Sequence, residues 1–190
     1  MGAEARYWAI VDLETTGVDP IRHEIVQLAR VVIDTVEQEI IPRLTFVAYI
    51  KPTRWRNRER EAMEVNRLTL AKLKAEGADL CPTLRAFCWG PDWGNTVLAG
   101  WGVSFEEKFL RAGFKETKQA FPFPFQTIDI RSMAQLGRAR RGRSKLLGLR
   151  DAGERLGITV DPDQLHDALY DATITAEIAL QLLKKEDKDV

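Results

Sequence analysis

The sequence predicts an α/β protein: a mixed sheet, three antiparallel strands and then parallel ones, with helices on both faces. Three observations carry this. Three apolar runs rich in β-branched and aromatic residues come first, at short spacings that favour antiparallel neighbours joined by hairpins. Further short apolar runs then alternate with helical stretches, the pattern of parallel strands with crossover helices. Finally, 45% of the 190 residues are hydrophobic, enough to bury a sizeable core.

The elements follow in order. Residues 6–13 read as a buried first strand, and "EIVQLARVVID" (24–34) as the second. "LTFVAYIKP" (44–52) is the third, stopped by Pro52. "WRNRERE" (55–61) mixes charges and reads as a solvated loop. "TLAKLKAEG" (69–77) predicts a helix closed by Gly77, and "PTLRAFCWG" (82–90) another. "NTVLAG" (95–100) is a fourth strand. "SFEEKFLRAG" (104–113) reads as a helix with Ser104 as cap, Glu107 three residues on and Gly113 as stop. "FPFPF" punctuates 121–125 before a fifth strand, "TIDI" (127–130). "KLLGLRDAGERLGI" (145–158) sets Leu146, Leu149 and Leu156 near helical spacing despite Gly148. "ALYDATITAEIALQLLKK" (168–185) is the strongest helix, with Leu169, Ala172, Ala176, Ala179 and Leu183 along one stripe. Residues 1–190 read as one domain with a core from about 6 to 184 and a charged tail, "KEDKDV".

Charge sets limits on function. The 28 basic residues balance 28 acidic ones, so any attraction for nucleic acid is local. Cys81 and Cys88, seven apart, fit neither a zinc knuckle nor a disulfide framework. They read as structural thiols in a reducing compartment. Met1 to Tyr7, with Glu4 and Arg6, does not read as a secretory leader, and no apolar stretch approaches a membrane span. A cytoplasmic protein with no membrane partner is expected.

The chemistry begins at "VDLETTG" (11–17). Strand side chains alternate faces, so Asp12 and Glu14 point the same way. Two like charges this close raise each other's pKa unless something positive sits between them, and carboxylate oxygens are the ligands magnesium and manganese favour. Taken alone, an Asp-x-Glu pair also fits a strand running out into water. Thr15, Thr16 and Gly17 add a tight turn whose hydroxyls and N–H groups can hold a phosphate or a sugar hydroxyl.

"VDLETTGVDP" followed by "HEIVQLARVVID" closely resembles the first motif of the DEDDh (DnaQ-like) 3′→5′ exonuclease family, which spans proofreading and ribonuclease T-type enzymes. The family's third motif, a His followed five residues later by an Asp at the start of a helix, is matched by His166 and Asp171 in "LHDALYDATITAEIALQLL". His23, the other histidine, reads as a surface turn residue. The second motif, His-Asn-x-x-Phe-Asp-x-x-Phe-Leu in the family, meets "WGVSFEEKFL" (101–110) here. Phe105, Phe109 and Leu110 match, Glu106 stands at the Asp position, and Trp101 and Gly102 replace His-Asn. Glu107, about 100° away on a helix, is the alternative ligand. "MEVNRLTLAKL" (63–73), "TIDIRSMAQL" (127–136) and "KLLGLRDAGERLGI" match more weakly, so the likeness runs from about Tyr7 to Leu183.

The resemblance implies a ribonuclease H-like fold and hydrolysis of DNA or RNA from the 3′ end to 5′ mononucleotides. It implies two divalent cations, Mg2+ or Mn2+, held by Asp12, Glu14, Glu106 and Asp171, with His166 as general base. Leu13, Thr15 and Thr16 would meet the terminal nucleotide, and Phe105 its sugar or base. The expected partner is single-stranded nucleic acid with a free 3′ end, with a polymerase or another nucleic-acid complex as a further candidate; family likeness leaves oligomeric state open. Arg138, Arg140, Arg141, Arg143, Lys145 and Arg150 make a basic run with no acid, and Arg140 and Arg141 would contact the substrate backbone. A second expectation is a relative whose metal site is spoiled by Glu106 and which binds nucleic acid or a partner without cleaving.

Overall fold

The computed structural model describes residues 5–139, 142 and 145–186. A six-stranded sheet forms from β1 (Tyr7–Thr15), β2 (Ile25–Asp34), β3 (Glu39–Ile40), β4 (Phe46–Tyr49), β5 (Thr96–Gly100) and β6 (Thr127–Asp129). The order is β3-β2-β1-β5-β6, with β4 also on β2. β1 and β2 pair antiparallel, as do β2 with β3 and with β4. β1 and β5 pair parallel, as do β5 and β6. The expected mixed sheet is therefore present. β2 is buried along all ten residues, which fits a strand covered on both faces.

The helices are α1 (Arg60–Asn66), α2 (Leu70–Glu76), α3 (Leu80–Phe87), α4 (Ser104–Glu116), α5 (Ile130–Ala139), α6 (Leu149–Arg155) and α7 (Ala168–Glu186). Strand alternation sorts them onto the two faces. Trp8, Ile10, Ala29, Val31, Val97 and Ala99 pack with Ile130, Ala152 and the Ala172, Ala176 and Ala179 stripe of α7. Ala9, Val11, Leu28, Val32 and Leu98 pack with Leu84 and Phe87 of α3 and with Phe109, Leu110 and Phe114 of α4. The alanines of α7 leave little side chain between helix and sheet, so its backbone lies close over β1 and β2. Among the described residues no helix is long and apolar enough to cross a membrane.

Several local expectations change. The third strand shrinks to Phe46–Tyr49, and the two-residue β3, too short to leave a periodic signal, precedes it. The expected loop at 55–61 instead holds a 3-10 turn (Trp55–Asn57) and the start of α1, where Arg60 and Glu64 pair one helical turn apart and add a little support to the helix. In α4, Val103 takes the cap position without a side-chain bond, and the helix runs past Gly113, which packs against Leu84 and Leu80. Gly148 caps the start of α6, so Leu146 lies before the helix and is 62% exposed, and Leu147 is buried instead.

Arg30 is an unexpected core residue, on the β2 face opposite that of Ala29 and Val31. Its guanidinium donates to the carbonyls of Leu44, Phe87 and Trp89 and lies over the rings of Phe46, Phe87 and Trp93. Burial lowers its pKa to about 10, so it remains charged at neutral pH. Backbone dipoles and aromatic faces take the place of a carboxylate partner.

Candidate active site

The site lies at the carboxyl ends of β1 and β5, the edge where ligands collect in open α/β sheets. Asp12 and Glu14 share the face of Ile10, toward α7. α7 starts beside them and delivers Asp171 from its first turn. α4 starts just after β5 and delivers Glu106, also from its first turn, where the helix dipole favours a carboxylate. His166 stands in the loop before α7, with its backbone in the left-handed region at φ 68. A non-glycine residue held there costs roughly 1–3 kcal/mol and needs surrounding contacts to keep it. Here one such contact is the His166 N–H donating to Asp171 Oδ2 at 3.2 Å.

These groups converge. One ligand atom each from Glu14, His166 and Asp171 lie within 4.8 Å of one another. The Asp12 carboxyl is pushed well above its ordinary range by burial and by the charges of Glu106, Asp171, Glu14 and Asp167. Glu14 is raised to about 8 by burial and then by Asp171, Asp167 and Glu106. Glu106 is raised to about 8 by burial, with its own N–H working against that and Asp129 adding to it. Burial also raises Asp171 to about 6. Glu106 Oε2 and Asp171 Oδ1 are buried without a hydrogen-bond partner. Carboxylates crowded together with open oxygens are a donor set for hard divalent cations, so the residues fit such ions.

His166 shifts the other way. Its pKa is lowered by partial burial and by the Arg67 charge, which keeps the imidazole neutral and able to accept a proton. Glu107 turns away and pairs with Arg111 one turn on, which leaves Glu106 as the carboxylate of α4 that reaches the cleft.

The turn after Glu14 is tied together internally. Thr16 is wholly buried: its N–H donates to the Glu24 carbonyl, its hydroxyl accepts the Glu24 N–H, and its carbonyl accepts from Glu59. It holds the turn and has no surface left for a nucleotide, which corrects the expected contact. The Thr15 hydroxyl donates to the Gly17 carbonyl at 2.7 Å. Leu13 is buried in the core, and Phe105 is half-buried against Phe109. His23 is not a surface residue. It is buried, accepts the Asp19 N–H at Nδ1, and packs so closely on Gly17 that a Cβ there would lie 2.6 Å from the ring. Arg140, Arg141 and Arg143 lie outside the described residues, and Arg150 pairs with Glu154 on α6.

Four residues escaped the sequence reading. Asp167 caps α7 by accepting the Leu169 and Tyr170 N–H groups, and Gln27, opposite Glu14 in the β1–β2 register, bonds to it. An Asp directly before an apolar helical run was a readable cap signal. Asn66 donates to the Thr15 carbonyl, and Asp129 accepts the Gly102 N–H where the second motif departs from its family form. Neither carries a local sequence signal.

A family model described as "Exonuclease", of the RNase T type, matches residues 9–179. Ribonuclease T of Vibrio parahaemolyticus is 24% identical over 187 residues, covering 93% of this chain and 85% of that protein. The nuclease domain of 3′hExo, a DEDDh family member bound to rAMP, superposes with a TM-score of 0.73 at 24% identity, covering 95% of this chain and 92% of that one. E. coli exonuclease I in complex with a dA16 oligonucleotide superposes with a TM-score of 0.77 at 19% identity; the match covers 96% of this chain but 42% of that enzyme. With the family model spanning nearly the whole sheet and all five motif residues, the chain belongs to the RNase T-type exonuclease family.

Proposed function

We propose that the protein hydrolyses single-stranded nucleic acid from its 3′ end, releasing 5′ mononucleotides in a reaction that needs two divalent cations, Mg2+ or Mn2+. The observation that carries this reading is the convergence of Asp12, Glu14, Glu106 and Asp171 from three separate segments, with His166 beside them. Asp12, Glu14, Glu106 and Asp171 would hold the cations, which supply charge neutralisation and acidify water. Neighbours of the same fold that carry rAMP or a dA16 oligonucleotide support a nucleotide substrate.

The chain's own groups do the rest. The neutral His166 imidazole accepts the proton of the attacking water as the water oxygen bonds to phosphorus. The bond from phosphorus to the 3′ oxygen of the penultimate nucleotide breaks, and that oxygen takes up a proton from solvent. Phe105, half-exposed at the start of α4, offers a ring for the terminal sugar or base. Backbone groups of Leu13 and Thr15 would meet the terminal nucleotide. Arg140 and Arg141, outside the described residues, would supply positive charge for the substrate backbone.

Glu106 and the Trp101-Gly102 pair favour a second reading, a binding module whose cation site is spoiled. Labelled DNA and RNA oligomers blocked at either end separate the two. Stepwise cleavage from free 3′ ends with magnesium or manganese supports the nuclease; binding without cleavage under every condition supports the module.

A further inference from the structure

The residue proposed as general base stands within ligand distance of two of the proposed cation-binding carboxylates. One nitrogen of His166 and one oxygen each of Glu14 and Asp171 lie within 4.8 Å of one another. Three atoms no more than 4.8 Å apart leave a point within about 2.8 Å of each, against zinc bonds of about 2.0–2.2 Å, so a closure of at most about 0.8 Å completes the coordination. The groups can supply that closure. Asp171 Oδ1 is buried without a partner, and His166 is an exposed loop residue.

We propose that Glu14, His166 and Asp171 form a mixed nitrogen–oxygen site for zinc, and that zinc bound there takes His166 out of proton transfer and holds the enzyme inactive. The donor set decides the cation. Magnesium and manganese select oxygen ligands, whereas imidazole nitrogen suits zinc. Three protein ligands with one open position is also an arrangement zinc accepts, water completing the tetrahedron. A ring nitrogen coordinated to zinc has committed its lone pair and cannot take a proton from water. The same carboxylates therefore serve two alternative states. With magnesium, His166 stands free as a base; with zinc, it becomes a ligand.

The inhibitory consequence rests on the nuclease reading, while the binding itself does not. Calorimetric titration of the full chain with zinc, in excess magnesium, compares the parent with His166→Ala and His166→Asn. Asparagine tolerates the left-handed backbone of position 166, so it guards against a folding artefact. Both variants are expected to bind zinc about tenfold or more weakly, with manganese affinity changed less than about twofold. Zinc affinity equal in parent and variants overturns the proposal, whatever the nuclease assay gives. Zinc binding that depends on His166 in a protein that hydrolyses nothing with magnesium overturns the nuclease reading and the inhibitory role, leaving only the binding site. In the active parent, half-inhibition by zinc near its calorimetric Kd is the expected result, and full activity with zinc bound overturns the inhibitory role.

Discussion

The Gln27 side chain holds the N-terminus of α7 at two points: its amide donates to Asp167 Oδ2 at 2.8 Å, and its oxygen accepts the Ala168 N–H at 3.2 Å. Since Gln27 also lies opposite Glu14 across β1–β2, one buried amide fixes the spacing between the first-motif carboxylate and the segment carrying His166 and Asp171. Gln27→Leu removes both bonds and leaves two groups unpaired, at a cost of roughly 1–3 kcal/mol. Urea denaturation should register that loss. Steady-state kinetics should show a fall in kcat with KM little changed, because the substrate's binding surface is untouched.

Glu106 reaches the cleft from the first turn of α4, with Oε2 buried and unpartnered. Shortening it withdraws that oxygen by about one methylene from a position set by the helix. Glu106→Asp should therefore lower hydrolysis of a labelled single strand by roughly ten- to a hundredfold, and Glu106→Ala should lower it further. An Asp variant more active than the parent would show that glutamate impairs this site.

Chelation and pH should act together. Glu14 and Glu106 at about 8, and Asp171 at about 6, hold protons in the folded chain that they release in the unfolded one. The folded state then binds more protons between roughly pH 4.5 and 8, so stability falls as pH rises through that window. Thermal melting in a chelator should show a falling Tm from pH 5 to pH 8. Magnesium should raise Tm most at the alkaline end, where the carboxylates are ionised and repel one another.

A methyl group at position 17 would collide with the His23 ring at 2.6 Å. Gly17→Ala must displace either the turn or the buried imidazole, at a cost of roughly 1–3 kcal/mol. Gly94→Ala, whose added carbon has its nearest neighbour at 3.4 Å, serves as the control and should cost within about 0.5 kcal/mol. Chemical denaturation of the two variants measures the difference, and activity should fall only in the first.

Much of this was legible because the signals are local. Strand parity puts Asp12 and Glu14 on one side, and the resemblance to the family's third motif marks His166 and Asp171 at the start of a long helix. The parts that were missed depend on neighbours remote in sequence. Arg30 looks like a polar interruption of β2 until Leu44, Phe87 and Trp89 bring their carbonyls to it. His23 looks like a turn residue until the chain folds Gly17 onto its ring. β3 is held by its pairing with Ile33 and Asp34, and two residues carry no period of their own.

The outer side of β2 is shared by two short pieces, β4 against residues 27–30 and β3 against 33–34, and the opposite rim is the three-residue β6. A foreign strand adding to either margin would find only a few backbone groups in line before the ladder broke. Neither margin, among the described residues, offers a long straight template for cross-molecular β-pairing, so the order that assembles the catalytic cleft also guards a β-rich core against edge-to-edge aggregation.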